Sequence, residues 1–162
     1  MIDPEDFLQT FLELDVKFFA GVPDSLLKDI CYCFSKSLND KDHIIACNEG
    51  AAVSLGIGHY LATSRPALIY LQNSGLGNTI NPLISLSHKE VYSIPLILLI
   101  GWRGEIQEDK SQLEDEPQHR AQGKITCKQL ELMGIDYFIL DSKNSNNYKE
   151  LINIYLKKSL KN

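Results

Sequence analysis

Short apolar runs of strand length alternate along this chain with segments whose apolar residues recur at helical spacing, and that alternation leaves few folds open. The runs are Val16–Ala20, His43–Cys47, Pro66–Leu71, Pro95–Ile100 and Tyr137–Leu140. Asp3 and Pro4 open a helix carrying Leu8, Phe11 and Leu12, and a second helix begins near Asp24 or Ser25. The apolar stripe of that second helix is Leu26, Leu27, Ile30, Cys31, Phe34 and Leu38. A helix of small residues runs from Ala51 to Ala62, and another carries Ile80, Leu83 and Ile84 with Pro82 in its first turn. Thr126–Met133 and a terminal stretch bearing Tyr148, Leu151, Ile152 and Tyr155 complete the helices. Two periodicities in alternation, joined by short connections, predict an α/β fold: three layers, a mostly parallel sheet with helices on both faces. Pro95–Ile100 is apolar throughout, so this strand is expected to be covered on both faces. The 162 residues read as one domain, 1–162, with no internal repeat and no second-domain boundary.

Charge and cysteine usage narrow the function classes. A net charge of −5 argues against nonspecific nucleic-acid binding. The longest apolar run, Ile94–Ile100, is too short to span a membrane, and the opening Met-Ile-Asp-Pro-Glu-Asp has neither the basic region nor the apolar stretch of a leader. Cys31, Cys33, Cys47 and Cys127 show no zinc-ligand spacing and are read as buried, reduced thiols of a cytoplasmic protein, with no metal site in this chain.

An open parallel sheet gathers its ligands beyond the carboxyl ends of its strands. The segments there are Gly21–Ser25, Asn48–Gly50, Gln72–Asn78 and Gly101–His119. Gly75-Leu76-Gly77 lacks the third glycine of a dinucleotide fingerprint, since Ile80 stands in its place, and no Gly-Lys-Ser/Thr phosphate loop occurs. A nicotinamide or ATP enzyme is therefore disfavoured. Glu49 has two readings: an acid favoured at a helix start by the dipole and free N–H groups, or a semi-buried carboxyl used in proton chemistry. Asp24 and Ser25 are either helix caps or site residues. Gln72, Asn73 and Ser74 are either turn residues or one edge of a ligand site. Arg103, between Gly101 and Gly104, is either a surface arginine or an anion-binding fork. His119 is a loop histidine or a second group on the same anion. His43, His59, His88 and Trp102 read as structural. The acids Glu105, Glu108, Asp109, Glu114, Asp115 and Glu116 are expected on a mobile loop facing solvent, with only its C-terminal end near the site.

Asn48-Glu49-Gly50-Ala51-Ala52, placed between a strand and a small-residue helix, resembles the cofactor-activating glutamate motif of thiamin-diphosphate enzymes. Gly21-Val22-Pro23-Asp24-Ser25 resembles the Gly-x-Pro loop of the same superfamily. Asn73-Ser74-Gly75-Leu76-Gly77-Asn78, Gly101-Trp102-Arg103-Gly104 and Asp115-Glu116-Pro117-Gln118-His119 narrow the resemblance to the phosphonopyruvate decarboxylases and their relatives the sulfopyruvate decarboxylases. It runs from about residue 1 to about residue 140 and implies a pyrimidine-binding domain.

Glu49 would then bond the ring nitrogen of the cofactor's aminopyrimidine, and Asp24 would donate a proton near the reacting carbon. Gln72, Asn73, Ser74, Gly75 and Asn78 would line the cofactor. Ser25, Arg103 and His119 would bind a small anionic 3-substituted pyruvate. The family's diphosphate-binding domain, marked by Gly-Asp-Gly followed by paired asparagines, has no counterpart here; Asn146-Asn147 has no Gly-Asp-Gly before it. The resemblance therefore implies that Mg²⁺ and the diphosphate are held by another domain or subunit, and that the working enzyme is an oligomer. The non-enzymatic alternative is a flavodoxin-like binding module without catalysis.

Overall fold

The computed structural model describes residues 2–161. Asp3 caps α1 (Pro4–Glu13), its Oδ1 accepting from the N–H groups of Glu5 and Asp6, both at 2.9 Å. Pro4 stands where a missing N–H costs nothing. Then follow β1 (Phe18–Gly21), α2 (Lys28–Ser37), β2 (His43–Ile45), α3 (Glu49–Thr63) and β3 (Ala67–Gln72). A 3₁₀ turn, Asn73–Gly75, leads into α4 (Leu76–Pro82) and a wide π turn, Leu83–Ser87. The last elements are β4 (Leu96–Gly101), α5 (Pro117–Leu132) and α6 (Tyr148–Ser159).

The four strands are all parallel, in the order β2-β1-β3-β4, with Phe19 opposite His43 and Leu68, and Tyr70 opposite Leu99. Side chains alternate across the sheet, as a pleat requires. Phe19, Leu68 and Tyr70 face a core shared with Phe7 and Phe11 of α1, Phe34 of α2 and Ile152 of α6. Ala20, Ile69 and Leu71 face the opposite core, with Val53 and Ile57 of α3, Leu76 of α4 and Leu130 of α5. This is the three-layer fold expected from the alternation.

Several expected boundaries move. α2 starts at Lys28, because Asp24 and its followers form a turn instead: the Asp24 carbonyl accepts from Leu27 N at 3.2 Å. Leu26 thereby leaves the buried stripe and is 56% exposed. Most of Gln72–Asn78 is helical rather than a loop. Pro82 ends α4 instead of starting it, and the chain then widens into the π turn, closed by His88 N to Leu83 O at 2.8 Å. Proline removes a ladder donor and crowds the preceding turn, so a wider turn after it relieves the helix. α5 begins at Pro117, nine residues before the expected start at Thr126, because its opening turns are mostly polar and exposed. Tyr137–Leu140 does not join the sheet. Its carbonyls are taken by side chains, Tyr137 O by the Tyr155 hydroxyl at 2.9 Å and Ile139 O by Asn144 Nδ2 at 2.6 Å. β4 packs on both cores but forms the sheet edge, and Leu96–Ile100 are only half-buried, so the expected cover on both faces is incomplete. Cys31 and Cys33 are buried and Cys127 partly so, whereas Cys47 is exposed at the mouth of α3.

Candidate functional site

The strand order reverses between β1 and β3, since β1 continues to β2 on one side while β3 lies on the other. A parallel sheet opens a crevice at such a point. Asp24, just past β1, and Gln72, at the end of β3, meet across it: Gln72 Nε2 donates to Asp24 Oδ1 at 2.6 Å. Ser74 Oγ donates to Gln72 Oε1 at 2.7 Å, and Leu26 N to Asp24 Oδ2 at 3.0 Å. Asp24 is buried, and Gly101 at the end of β4 leaves room for it: a Cβ there would lie 2.1 Å from Asp24 Oδ2.

Glu49 is the first residue of α3. Asn48 is the cap, its Oδ1 accepting from Ala51 N at 2.8 Å, so the Glu49 side chain is spared that task. Glu49 Oε2 accepts from Asn78 Nδ2 at 2.7 Å. Its carboxylate rests against the backbone of Gly75, where an added Cβ would fall 2.4 Å from Oε1. At Gly77 an added Cβ would meet nothing within 4 Å. A half-buried carboxylate with one oxygen engaged, set against side-chain-free backbone, can share a proton with a ring nitrogen of a flat heterocycle. Glu49 is both a helix-start acid and a presented carboxylate; the two readings describe one geometry.

The third group lies beyond β4. Arg103 Nε and Nη2 donate to Asp115 Oδ2 and Oδ1 at 2.7 and 2.5 Å, while Nη1 donates to Ser25 Oγ at 2.9 Å. His119 Nδ1 lies 2.8 Å from Asp115 Oδ1. Hydrogen bonding from Arg103, then from His119 and the Glu116 N–H, holds the Asp115 carboxyl well below the usual carboxylate range, and Asp115 in turn raises Arg103. Residues 72–78 connect the three groups. Gln72 touches Asp24, Gly75 and Asn78 touch Glu49, and Asn73 reaches the Arg103 backbone.

Two expectations are corrected. Asn73 is not free to line a cofactor: it is 1% exposed, its Nδ2 donates to Arg103 O at 3.1 Å and Thr126 Oγ1 at 2.8 Å, and its Oδ1 accepts from Arg103 N at 3.1 Å. It bolts the ends of β3 and β4 to α5. Asp115, at the C-terminal end of the run, does not face solvent as Glu108, Asp109, Glu114 and Glu116 do; its side chain is 12% exposed and pairs with Arg103. The loop before it folds back on itself, with Ile106 bridging Gln112. The signal for Asp115 lay in the sequence as a helix start, with Pro117 two residues on and His119 one turn away. Thr126 gave no such signal. Trp102 packs, as expected, with Nε1 donating to Gly123 O at 3.1 Å.

Residues 5–130 match the family described as thiamine pyrophosphate enzyme, N-terminal TPP binding domain. The phosphonopyruvate decarboxylase of Streptomyces hygroscopicus is 33% identical over 142 residues, which cover 86% of this chain and 33% of that protein. The chain thus spans about a third of the first curated relatives it matches. The sulfopyruvate decarboxylase subunit alpha of Methanococcus maripaludis is 35% identical over 136 residues, covering 83% of this chain and 74% of the subunit. Among solved structures, a thiamin diphosphate-dependent enzyme from Mycobacterium smegmatis superposes with a TM-score of 0.53 at 21% identity, over 68% of this chain and 20% of that one. The benzoylformate decarboxylase of Polynucleobacter necessarius gives 0.53 at 20% identity, over 67% of this chain and 19% of that one. These two likenesses show the fold.

Proposed function

From the premise that this chain belongs to the family of thiamine pyrophosphate enzyme N-terminal TPP binding domains, we propose that it is the pyrimidine-binding part of a decarboxylase converting phosphonopyruvate to phosphonoacetaldehyde and carbon dioxide. The single observation that carries this reading is the Glu49 carboxylate at the start of α3, bonded by Asn78 and resting on Gly75. Thiamin diphosphate, when bound, supplies the electron sink for loss of carbon dioxide from a 2-oxo acid. Glu49 holds and exchanges a proton at the aminopyrimidine ring nitrogen, and Gly75 and Gly77 let the ring approach the backbone. Asp24, buried beside Gln72, is the proton donor nearest the crevice. Ser25, Arg103 and His119 receive the anionic substituent.

The diphosphate and Mg²⁺ belong to a partner domain or subunit, which docks on α3 and α4; exposed Leu55 and Leu61 on α3, Ile80 on α4 and Ile84 in the π turn after it support this choice of face. The working enzyme is accordingly at least a dimer of chains or of subunit pairs. A cytoplasmic location is part of this reading, and no described helix is long and apolar enough to cross a membrane.

A second reading exchanges phosphonate for sulfonate, favoured by the comparable identity to the sulfopyruvate decarboxylase alpha subunit. Phosphonate carries up to one more negative charge, so kcat/KM measured on both substrates separates the two. The primary test is Glu49→Gln in the chain assembled with its diphosphate-binding partner. The amide keeps the size and loses the exchangeable proton, so C2 proton exchange of bound cofactor should fall by at least about a hundredfold with melting unchanged. Exchange at the parent rate would remove Glu49 from the chemistry.

A further inference from the structure

Asp115 is built into the site more firmly than a surface acid needs to be. Its Oδ1 accepts from Arg103 Nη2 at 2.5 Å, His119 Nδ1 at 2.8 Å and Glu116 N at 2.8 Å. Its Oδ2 accepts from Arg103 Nε at 2.7 Å and Gly104 N at 3.2 Å. The carboxylate stands two residues before Pro117, at the positive end of α5. Backbone donors on both sides of it, one beyond β4 and one at the helix start, help to fix its place.

Two consequences follow for its neighbours. A guanidinium carries five N–H groups. Asp115 takes the Nε/Nη2 edge, Ser25 takes one N–H of Nη1, and the remaining N–H groups of Nη1 and Nη2 have no partner among the described residues. The long arginine side chain is thus ordered in advance, with its outer end toward the Ser25 side of the crevice. An ionised carboxylate can only accept, so His119 Nδ1 carries a hydrogen, and Nε2 can meet an anion as a donor when the ring is protonated there as well. No described residue bonds that Nε2.

We propose that Asp115 is the positioning residue of the anion site: one carboxylate, anchored at the start of α5, orients both Arg103 and His119 toward the substituent that distinguishes the substrate from pyruvate. This rests on the reading that Arg103 and His119 receive that substituent. The carboxylate offsets part of the arginine's charge. What it contributes is orientation, since ordering a guanidinium before binding removes a conformational cost that would otherwise weaken the complex.

The test is a double-mutant cycle in the assembled enzyme, with Asp115→Asn, Arg103→Ala and the pair. Each is measured on phosphonopyruvate, or on sulfopyruvate if that is the substrate turned over, and on pyruvate. Asp115→Asn should raise KM for the anionic substrate about tenfold or more while kcat changes much less, and should leave pyruvate nearly unaffected. The double variant should lose less than the sum of the two single losses, because Asp115 acts in part through the arginine, and any loss beyond Arg103→Ala is what it does through His119. A merely structural clip would lower both substrates together and add its whole loss to the arginine's; either result overturns the proposal. If Arg103→Ala discriminates between substrates and Asp115→Asn does not, the positioning role alone fails. If Arg103→Ala affects both substrates equally, or neither anionic substrate is turned over, the anion-site reading fails and the proposal with it.

Discussion

At the residue scale, the glycines of the site differ in what they tolerate. A Cβ at Gly75 would strike the Glu49 carboxylate, the far end of a flexible side chain. The fold can yield there by letting Glu49 swing away. A Cβ at Gly123 would fall 1.9 Å from the Gly104 carbonyl oxygen, which is backbone and cannot step aside. Gly75→Ala should therefore cost less than about 1 kcal/mol of stability yet reduce cofactor C2 exchange about as far as Glu49→Gln does. Gly123→Ala should cost on the order of 2 kcal/mol or more, with α5 displaced from the turn it packs on. Denaturant melts and the exchange assay, run on both variants, separate the two cases.

At the scale of the element, α3 trades helix propensity for surface shape. Ala52, Val53, Gly56 and Ile57 face the core, and Gly56 lets the helix close on Ile69 and Leu96. Gly58 has no such excuse within the chain: it is exposed, and a Cβ there meets nothing. In the isolated chain Gly58→Ala should raise stability by about 0.5–1 kcal/mol, the usual gain for an exposed helix interior. If this face receives the partner domain, Gly58→Trp should leave the isolated chain folded but reduce the assembled species seen by light scattering. An assembly of parent size would move the interface elsewhere. α5 teaches a complementary lesson. His119 stands in its first turn and Asp115 just before it, and this stretch is polar, so no apolar period announced it.

At the scale of the whole molecule, two histidines tie stability to pH. His43 Nε2 bonds the Tyr70 hydroxyl at 2.8 Å, and its ring packs near Phe34. His59 stacks on Phe18 with ring centroids 4.6 Å apart, and its Nε2 is buried without a partner among the described residues. Burial holds both below the usual histidine value, helped at His59 by the charge of Arg65. Above about pH 6.5 neither state binds these protons, so nothing is lost. As pH falls below that value the unfolded chain takes up protons that the folded chain resists, and stability drops until the folded values are reached. The melting temperature should therefore be lower at pH 5.5 than at 7.5, and His59→Gln should reduce the difference. Asp115 acts in another window: its depressed carboxyl contributes stability above the ordinary carboxylate range and loses it only in strong acid.

The amino-acid sequence by itself determined the layers, the parallel sheet, the segments at the strand ends and the family, because alternating periodicities and strand-end motifs are local properties of the chain. Glu49, Asp24, Gln72 and Arg103 were legible for the same reason: each follows an apolar run that had to be a strand. Tertiary structure decided how their polar groups are spent. Asn73 and Asp115 look alike from the sequence, short polar residues in turns, yet one is a buried bolt on Thr126 and the other a clamp on Arg103. Thr126 lies 53 residues from Asn73, and Asp115 lies 12 from Arg103. A hydrogen bond depends on separation in space and on the partners left over once water is excluded, and neither quantity exists until the layers have packed.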